Sequence, residues 1–182
     1  MTAVSVHGSI VSIGAQAFSG CSSLANITIP ASVTNIGTGA FAGCNNLNIT
    51  VAASNPNYSA QGNILYDKLK TKIIATGKIN SSITIPETVT EITPYAFEGN
   101  SNLTTVHISN SADIGIHAFA NCENLETVYF YSYNVPEIGT SAFTGDNFTV
   151  YVPYSKQAAY NVVFQGYLAR IESLPITITI LQ

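Results

Sequence analysis

Charge is scarce in this chain. Asp, Glu, Lys and Arg together supply 9% of its 182 residues, against roughly a quarter in an ordinary soluble domain. Asn, Ser, Thr and Gly must therefore build the surface, a composition more common in secreted surface proteins than in cytosolic enzymes. Only six residues are Lys or Arg and the net charge is −4. A nucleic-acid partner needs a broad basic face to neutralise phosphates, so nucleic acid is excluded. No apolar run approaches the ~20 residues that span a bilayer, and this segment is not expected to insert into a membrane. Met1 leads straight into patterned sequence with no signal peptide, as expected of a piece of a longer chain, and localisation must be argued from other features.

Catalytic and metal-binding patterns are missing as well. Asp113 and His117 lie close together, but no serine or cysteine signature surrounds them or the other histidines, His7 and His107. Glu123 and Glu126 could suggest acid/base chemistry, yet they fall in a loop where solvated charges are the simpler reading. Cys21, Cys44 and Cys122 form no Cys-x-x-Cys pair, and no His-x-x-x-His occurs. The chain is read as a non-enzyme without cofactor.

What the sequence does contain is itself, repeated. Ala-Phe pairs end at Phe18, Phe41, Phe97, Phe119 and Phe143, spaced 23, 56, 22 and 24 residues apart. Five residues before each stands an isoleucine: Ile13, Ile36, Ile92, Ile114 and Ile138. Three after stand Cys21, Cys44, Asn100, Cys122 and Asp146; six after stand Leu24, Leu47, Leu103 and Leu125, with Thr149 breaking the series. Alternating pairs follow: Ile27/Ile29, Ile49/Val51, Val106/Ile108, Val128/Phe130 and Val150/Val152. A unit of this length cannot bury its apolar side alone, but stacked units cover one another. The period-2 pairs read as short strands with one face inward. Stacking predicts about six coils, one continuous parallel sheet and a column of five buried phenylalanines. Small polar side chains at the Cys/Asn/Asp register suit a buried loop whose backbone needs partners. The cysteines are read as a column of buried thiols; a Cys21–Cys44 disulfide, if the protein is exported, and a metal site are the alternatives.

The strings Ile29-Pro30-Ala31-Ser32-Val33-Thr34-Asn35-Ile36-Gly37 and Ala40-Phe41-Ala42-Gly43-Cys44-Asn45-Asn46-Leu47, echoed from Ile85-Pro86 through Ala96-Phe97, resemble the BspA-like leucine-rich repeat. The likeness covers roughly residues 9–153. It implies a right-handed β/α-type solenoid of short parallel strands with tight turns or short helices. It also implies a bacterial or protist surface location, and in several members a link to adhesion.

Residues 1–153 are thus read as the solenoid and 154–182 as a C-terminal cap and final strand. The long Phe41–Phe97 interval implies an insertion near 55–79, where Asn63–Tyr66 and Lys72–Ala75 flank a polar turn and suggest a protruding β-hairpin. Its Lys68, Lys70 and Lys72 are either simply solvated or a loop that grips an acidic partner. Ser155 is placed to cap a helix over the last coil, Ile176–Ile180 reads as a strand, and the N-terminal end shows no comparable cap. Six Asn-x-Ser/Thr sequons (Asn26, Asn48, Asn57, Asn80, Asn102 and Asn147) follow from the Asn/Thr-rich repeat, and would carry glycans only in an exported eukaryotic protein.

Outward strand positions are nearly all Asn, Ser or Thr. The exceptions are His107, Tyr129 and Tyr151 at one register of successive coils, with Tyr131 beside them. Either tyrosine merely favours strands here, or the rings form a binding patch for a protein or a glycan. The chain is accordingly read as an extracellular or cell-surface binding module, with a structural spacer as the alternative.

Overall fold

The computed structural model describes residues 4–167 and 169–174. Its strands, in chain order, are β1 (Ser12–Ile13), β2 (Asn26–Ile29), β3 (Asn35–Ile36), β4 (Asn48–Val51), β5 (Tyr58–Gln61), β6 (Ile64–Asp67), β7 (Lys72–Thr76), β8 (Ser82–Ile85), β9 (Glu91–Ile92), β10 (Thr105–Ile108), β11 (Asp113–Ile114), β12 (Thr127–Phe130), β13 (Phe148–Val152) and β14 (Ala169–Ser173); one helix, α1, spans Gln157–Val163. The chain is a β-solenoid of about seven turns. Each regular coil contributes a four-residue strand to one face, a two-residue strand to the other, and the Ala-Phe turn that closes the circuit.

Registers between coils are in step. Val106 and Ile108 pair with Val128 and Phe130, and Ile27 and Ile29 with Ile49 and Val51. The alternation seen in the sequence puts Ile27, Ile29, Val106, Ile108, Val128 and Phe130 in the core, all buried. The turns are bonded from coil to coil too: the Phe18, Phe97 and Phe119 amides donate to the Ala40, Ala118 and Ala142 carbonyls at 2.8, 2.7 and 2.8 Å. Each turn needs a left-handed residue two positions after its Phe. Gly20, Gly43, Gly99 and Gly145 supply it, and Asn121 adopts the same conformation at φ 59°. A second left-handed position, two before the Phe, is filled by Gln16, Gly39, Tyr95, His117 and Ser141.

The register three after the Phe does what the backbone demands. The Cys44 and Cys122 thiols donate to the Phe18 and Phe97 carbonyls of the preceding coil at 3.0 and 3.2 Å, and the Asn100 amide donates to the Gly77 carbonyl at 3.0 Å. Where Thr149 breaks the leucine series, Phe148 takes the place of the leucine. It is buried, its ring centroid 4.9 Å from that of Phe143.

Three expectations need correction. The parallel sheet is not continuous: β2–β4 stand apart from β8–β10–β12–β13–β14, and on the other face β1–β3 stand apart from β5–β6–β7–β9–β11. The insertion causes the break. β5, β6 and β7 are antiparallel neighbours, and β7 rejoins the stack by pairing parallel with β9. The hairpin does not stand off the solenoid but enters it. Leu65 and Ala75 join the N-terminal core cluster, while Ile64, Tyr66 and Ile73 join the C-terminal one. The phenylalanine column divides accordingly. Phe18–Phe41 stack at 5.5 Å and Phe97–Phe119–Phe143 at 4.7 and 5.1 Å. Phe18, in the first described turn, is only half-buried.

At the C-terminal end β14 pairs parallel with β13 and adds a rung that its weak apolar pattern had hidden. α1 connects the two, and its Tyr160 and the following Phe164 plug the core against Phe130 and Phe143. Ser155 does not cap it: the residue lies inside a 3₁₀ turn, Tyr154–Lys156, and α1 has no side-chain N-cap bond. Ile176–Ile180 lie outside the described residues.

Replacing Phe119 by Ala removes a fully buried ring stacked on both sides, and should cost about 3–5 kcal/mol by equilibrium denaturation. Phe18→Ala, losing a half-buried ring stacked on one side, should cost distinctly less. Equal losses would mean that the neighbouring coils do not set the stability of each ring.

Candidate binding face

In β10, β12 and β13 every second side chain points away from the core. Parallel in-register pairing aligns Thr84, His107, Tyr129, Tyr151 and Glu172 across five strands. The rung spacing of a sheet, about 4.8 Å, thereby becomes the ring spacing. His107–Tyr129 and Tyr129–Tyr151 centroids lie 4.7 and 4.9 Å apart, with planes within 4° and 12°. Tyr131 lies just past β12, where its amide donates to the Ile108 carbonyl at 3.0 Å. Its ring runs within 9° of parallel to His107 and Tyr129, 6.0 Å from each, and its hydroxyl is hydrogen-bonded to His107 Nδ1 at 2.8 Å. Burial, then the neighbouring Tyr129, pushes the Tyr131 phenol above its ordinary value, so it stays a hydroxyl at neutral pH.

The four aromatic residues singled out in the sequence are therefore brought together. Their orientation is less simple than a platform. Rings stacked on rungs turn their faces toward each other and their edges and polar tips toward solvent. Within the His107–Tyr129–Tyr151 row, open ring faces remain at the ends, on the Thr84 side of His107 and the Glu172 side of Tyr151, and Tyr131 beside it is 42% exposed. Ser82, Thr105, Thr127 and Thr149 run alongside as a parallel polar row. The N-terminal part of the same face is all amide and hydroxyl: Asn48 donates to Asn26 at 3.2 Å, and the Thr28 and Thr50 hydroxyls are bonded at 2.8 Å.

The hairpin lysines are engaged within the chain. Lys68 Nζ donates to the Asn55 carbonyl at 2.7 Å and Lys70 Nζ to Gln61 Oε1 at 2.5 Å, while Lys72 forms an ion pair with Glu91. Between them Leu69 is 79% exposed. His117 stacks on Tyr95 at 5.3 Å, and the Asp113 carboxylate accepts the Glu137 amide at 3.0 Å, so those two residues serve separate structural ends. Glu123 and Glu126 are both exposed. Among the described residues no three His, Cys, Asp or Glu groups gather as a metal site, and no helix is long and apolar enough to cross a membrane.

The sequence matches the BspA type leucine rich repeat region, in six copies, over residues 1–76 and 64–150. The chain belongs to that family. Members of this repeat family are binding or structural modules, and BspA-type repeats are typically non-catalytic. Solved structures repeat the fold. A leucine rich cell surface protein from Faecalibacterium prausnitzii A2-165 aligns with a TM-score of 0.60 and 24% identity over 93% of this chain and 53% of its own. A leucine-rich repeat protein from Eubacterium ventriosum gives 0.54 and 23% over 84% and 60%. The pneumococcal vaccine antigen PcpA gives 0.58 and 16% over 97% and 68%. The chain thus spans about half the length of the first and three-fifths of the second. No curated protein matches it.

One side-chain feature of these BspA-type coils escapes sequence reading, and one departs from the expectation that the Cys/Asn/Asp register satisfies the backbone. Glu91, Asp113 and Glu137 form a carboxylate row on the face opposite the aromatic one, visible only once the short strands are in register. Asp146, in the thiol register, is 3% exposed and neither of its oxygens has a partner. The signal was present, since an acid stood where the other coils have Cys or Asn.

All three cysteines are free thiols. Burial pushes the Cys44 thiol up to about 11 and Cys122 higher still, whereas Cys21, in the first described turn, is only half-buried. The expected column of three protected thiols is thus two. A thiol reagent applied to the native protein should label Cys21 alone, and Cys44 and Cys122 only after denaturation. Rapid labelling of all three would contradict the burial of the column.

Proposed function

We propose that this chain is a protein-binding module of a bacterial cell-surface or secreted protein, and that its contact surface centres on His107, Tyr129, Tyr131 and Tyr151. The observation that carries the reading is the aromatic row itself. In the N-terminal coils the same sheet face is made of small polar side chains bonded to one another, Asn26 to Asn48 and Thr28 to Thr50. Here three rungs carry rigid rings, which supply contact area at low entropic cost, and aromatic anchors of this kind dominate interface energies. The relatives described as a cell surface protein and as a vaccine antigen support the location.

A glycan partner is less favoured than a protein. Sugars stack on ring faces, and the faces within the row are turned to one another. A protein surface can instead close over the ring edges and bond to the hydroxyl tips. The competing reading is a spacer that holds other parts of a longer protein away from the cell, and the uniform Asn/Thr surface of the N-terminal coils favours it for that half. The Lys68–Lys70–Lys72 hairpin is the second candidate surface, although an acidic partner would first have to displace the internal bonds of those ammonium groups.

The test replaces Tyr129 and Tyr151 together by Ser and measures binding to host matrix proteins and to a glycan array. Binding by the parent protein should fall at least tenfold in the double variant, the loss expected when hot-spot rings worth more than about 1.4 kcal/mol are removed. Equal binding by both would move the site elsewhere, with Lys68, Lys70 and Lys72 next. No binding by the parent to any protein or glycan would favour the spacer.

A further inference from the structure

The structure points to a second device, independent of the aromatic row, at the junction between the last regular coil and the C-terminal cap. In the register three residues after the Phe, a side-chain donor bonds to a backbone carbonyl of an earlier segment. Cys44 does so to Phe18, Cys122 to Phe97 and Asn100 to Gly77. The next residue in the row is Asp146, and by the same geometry its target is the Phe119 carbonyl. A carboxylate has no proton to give and would face that carbonyl with like partial charge; a carboxylic acid has the missing donor. Both Asp146 oxygens lie out of reach of solvent and have no partner, and neither ion pair among the described residues involves it.

We infer that Asp146 is a proton-dependent latch: protonated, it donates to the preceding coil as its register mates do and holds the last turn against the cap; ionised, it loosens that junction. The cap is seated where this would be felt. Phe143, three residues earlier, packs against Phe164 and Tyr167 at 5.6 and 5.9 Å, and the Tyr167 hydroxyl donates to the Gly139 carbonyl and accepts the Ala142 amide, both at 3.0 Å. Between coil and cap lies an open cleft of about 460 Å³, bordered by Thr144, Asp146, Gln165 and Tyr167.

The titratable groups next to Asp146 are the Cys122 thiol of the preceding coil and the Tyr167 phenol from the cap, neither of which supplies a positive charge; Glu98 lies beyond, by Cys122, and faces His117. Burial accordingly pushes the Asp146 carboxyl up from 3.8 to about 7, with the Cys122 backbone opposing part of the effect. The sign follows from proton counting. Between about pH 4 and pH 7 the folded state holds a proton that the unfolded chain has lost, so stability falls as pH rises through that window and levels off above it.

The experiment compares the full chain with Asp146→Asn, which keeps a donor at every pH as Asn100 does. Between pH 5 and 8 the parent's melting temperature should fall relative to the variant by roughly 5–10 °C. Contributions from the histidines and Glu98 are common to both proteins and cancel in the difference. Hydrogen exchange of residues 154–167, corrected for the intrinsic pH dependence of exchange, should rise in the parent relative to the variant from about pH 5 to pH 7 and then level off. A ¹³C-carboxyl resonance absent from the variant should titrate near 7. Should Asp146→Asn fail to fold, Asp146→Cys restores the thiol found in the other coils and serves the same comparison. Parallel melting profiles, or a carboxyl that titrates near 4, would overturn the latch. Neither outcome bears on the aromatic row, whose test is binding.

Discussion

Everything in this molecule hangs on one repeat distance, the separation of hydrogen-bonded rungs. Coil is tied to coil by backbone bonds on two strand faces and again at the Ala-Phe turn. Once that spacing is set, any residue type repeated at one register becomes a row of identical contacts. Rows of phenylalanine, leucine and isoleucine make the core, and a row of thiols and amides satisfies its buried carbonyls. A row of threonines and asparagines bonds to itself at the surface, and a row of aromatics stacks. The fold carries no separate machinery for building a binding surface. A change of residue at one outward register, three coils running, is enough to turn a polar row into an aromatic one.

Much of this was legible in the sequence because the period is visible without knowing how the chain folds. The inward strand residues, the turn phenylalanines, the polar register and the His107–Tyr129–Tyr151 alignment follow from counting. What escaped counting are the places where the period fails. The insertion's apolar residues, Ile64 to Tyr66 and Ile73 to Ala75, could not be assigned to one core or the other, because a hairpin with apolar side chains on both faces reads the same whether it protrudes or intercalates. β14 has a single strong apolar residue in its alternation, Ile171, and its place in the sheet depends on a partner strand rather than on its own pattern. Phe148 hides the last leucine position because the preceding loop is shorter.

Ring orientation was also out of reach. Sequence says that the rings share a register; only the stacked geometry says that they spend their faces on one another. That difference alters the chemistry offered to a ligand, from a flat aromatic table to a row of edges tipped with hydroxyls. Tyr131, brought in from beyond the strand end by its bond to His107, widens the row without opening its faces.

The hairpin between the two stacks has a mechanical meaning. In a solenoid each coil is stabilised by its immediate neighbours, so cooperativity travels only as far as unbroken stacking carries it. Here both sheets stop at the same partition, but the Ala-Phe turns run on across it, the Gly43 amide donating to the Glu98 carbonyl at 3.0 Å. Fraying that reaches this partition therefore meets a change of partner on both strand faces. At that partition a load along the axis passes through the turn ladder and the hairpin together, since both strand faces change partner there.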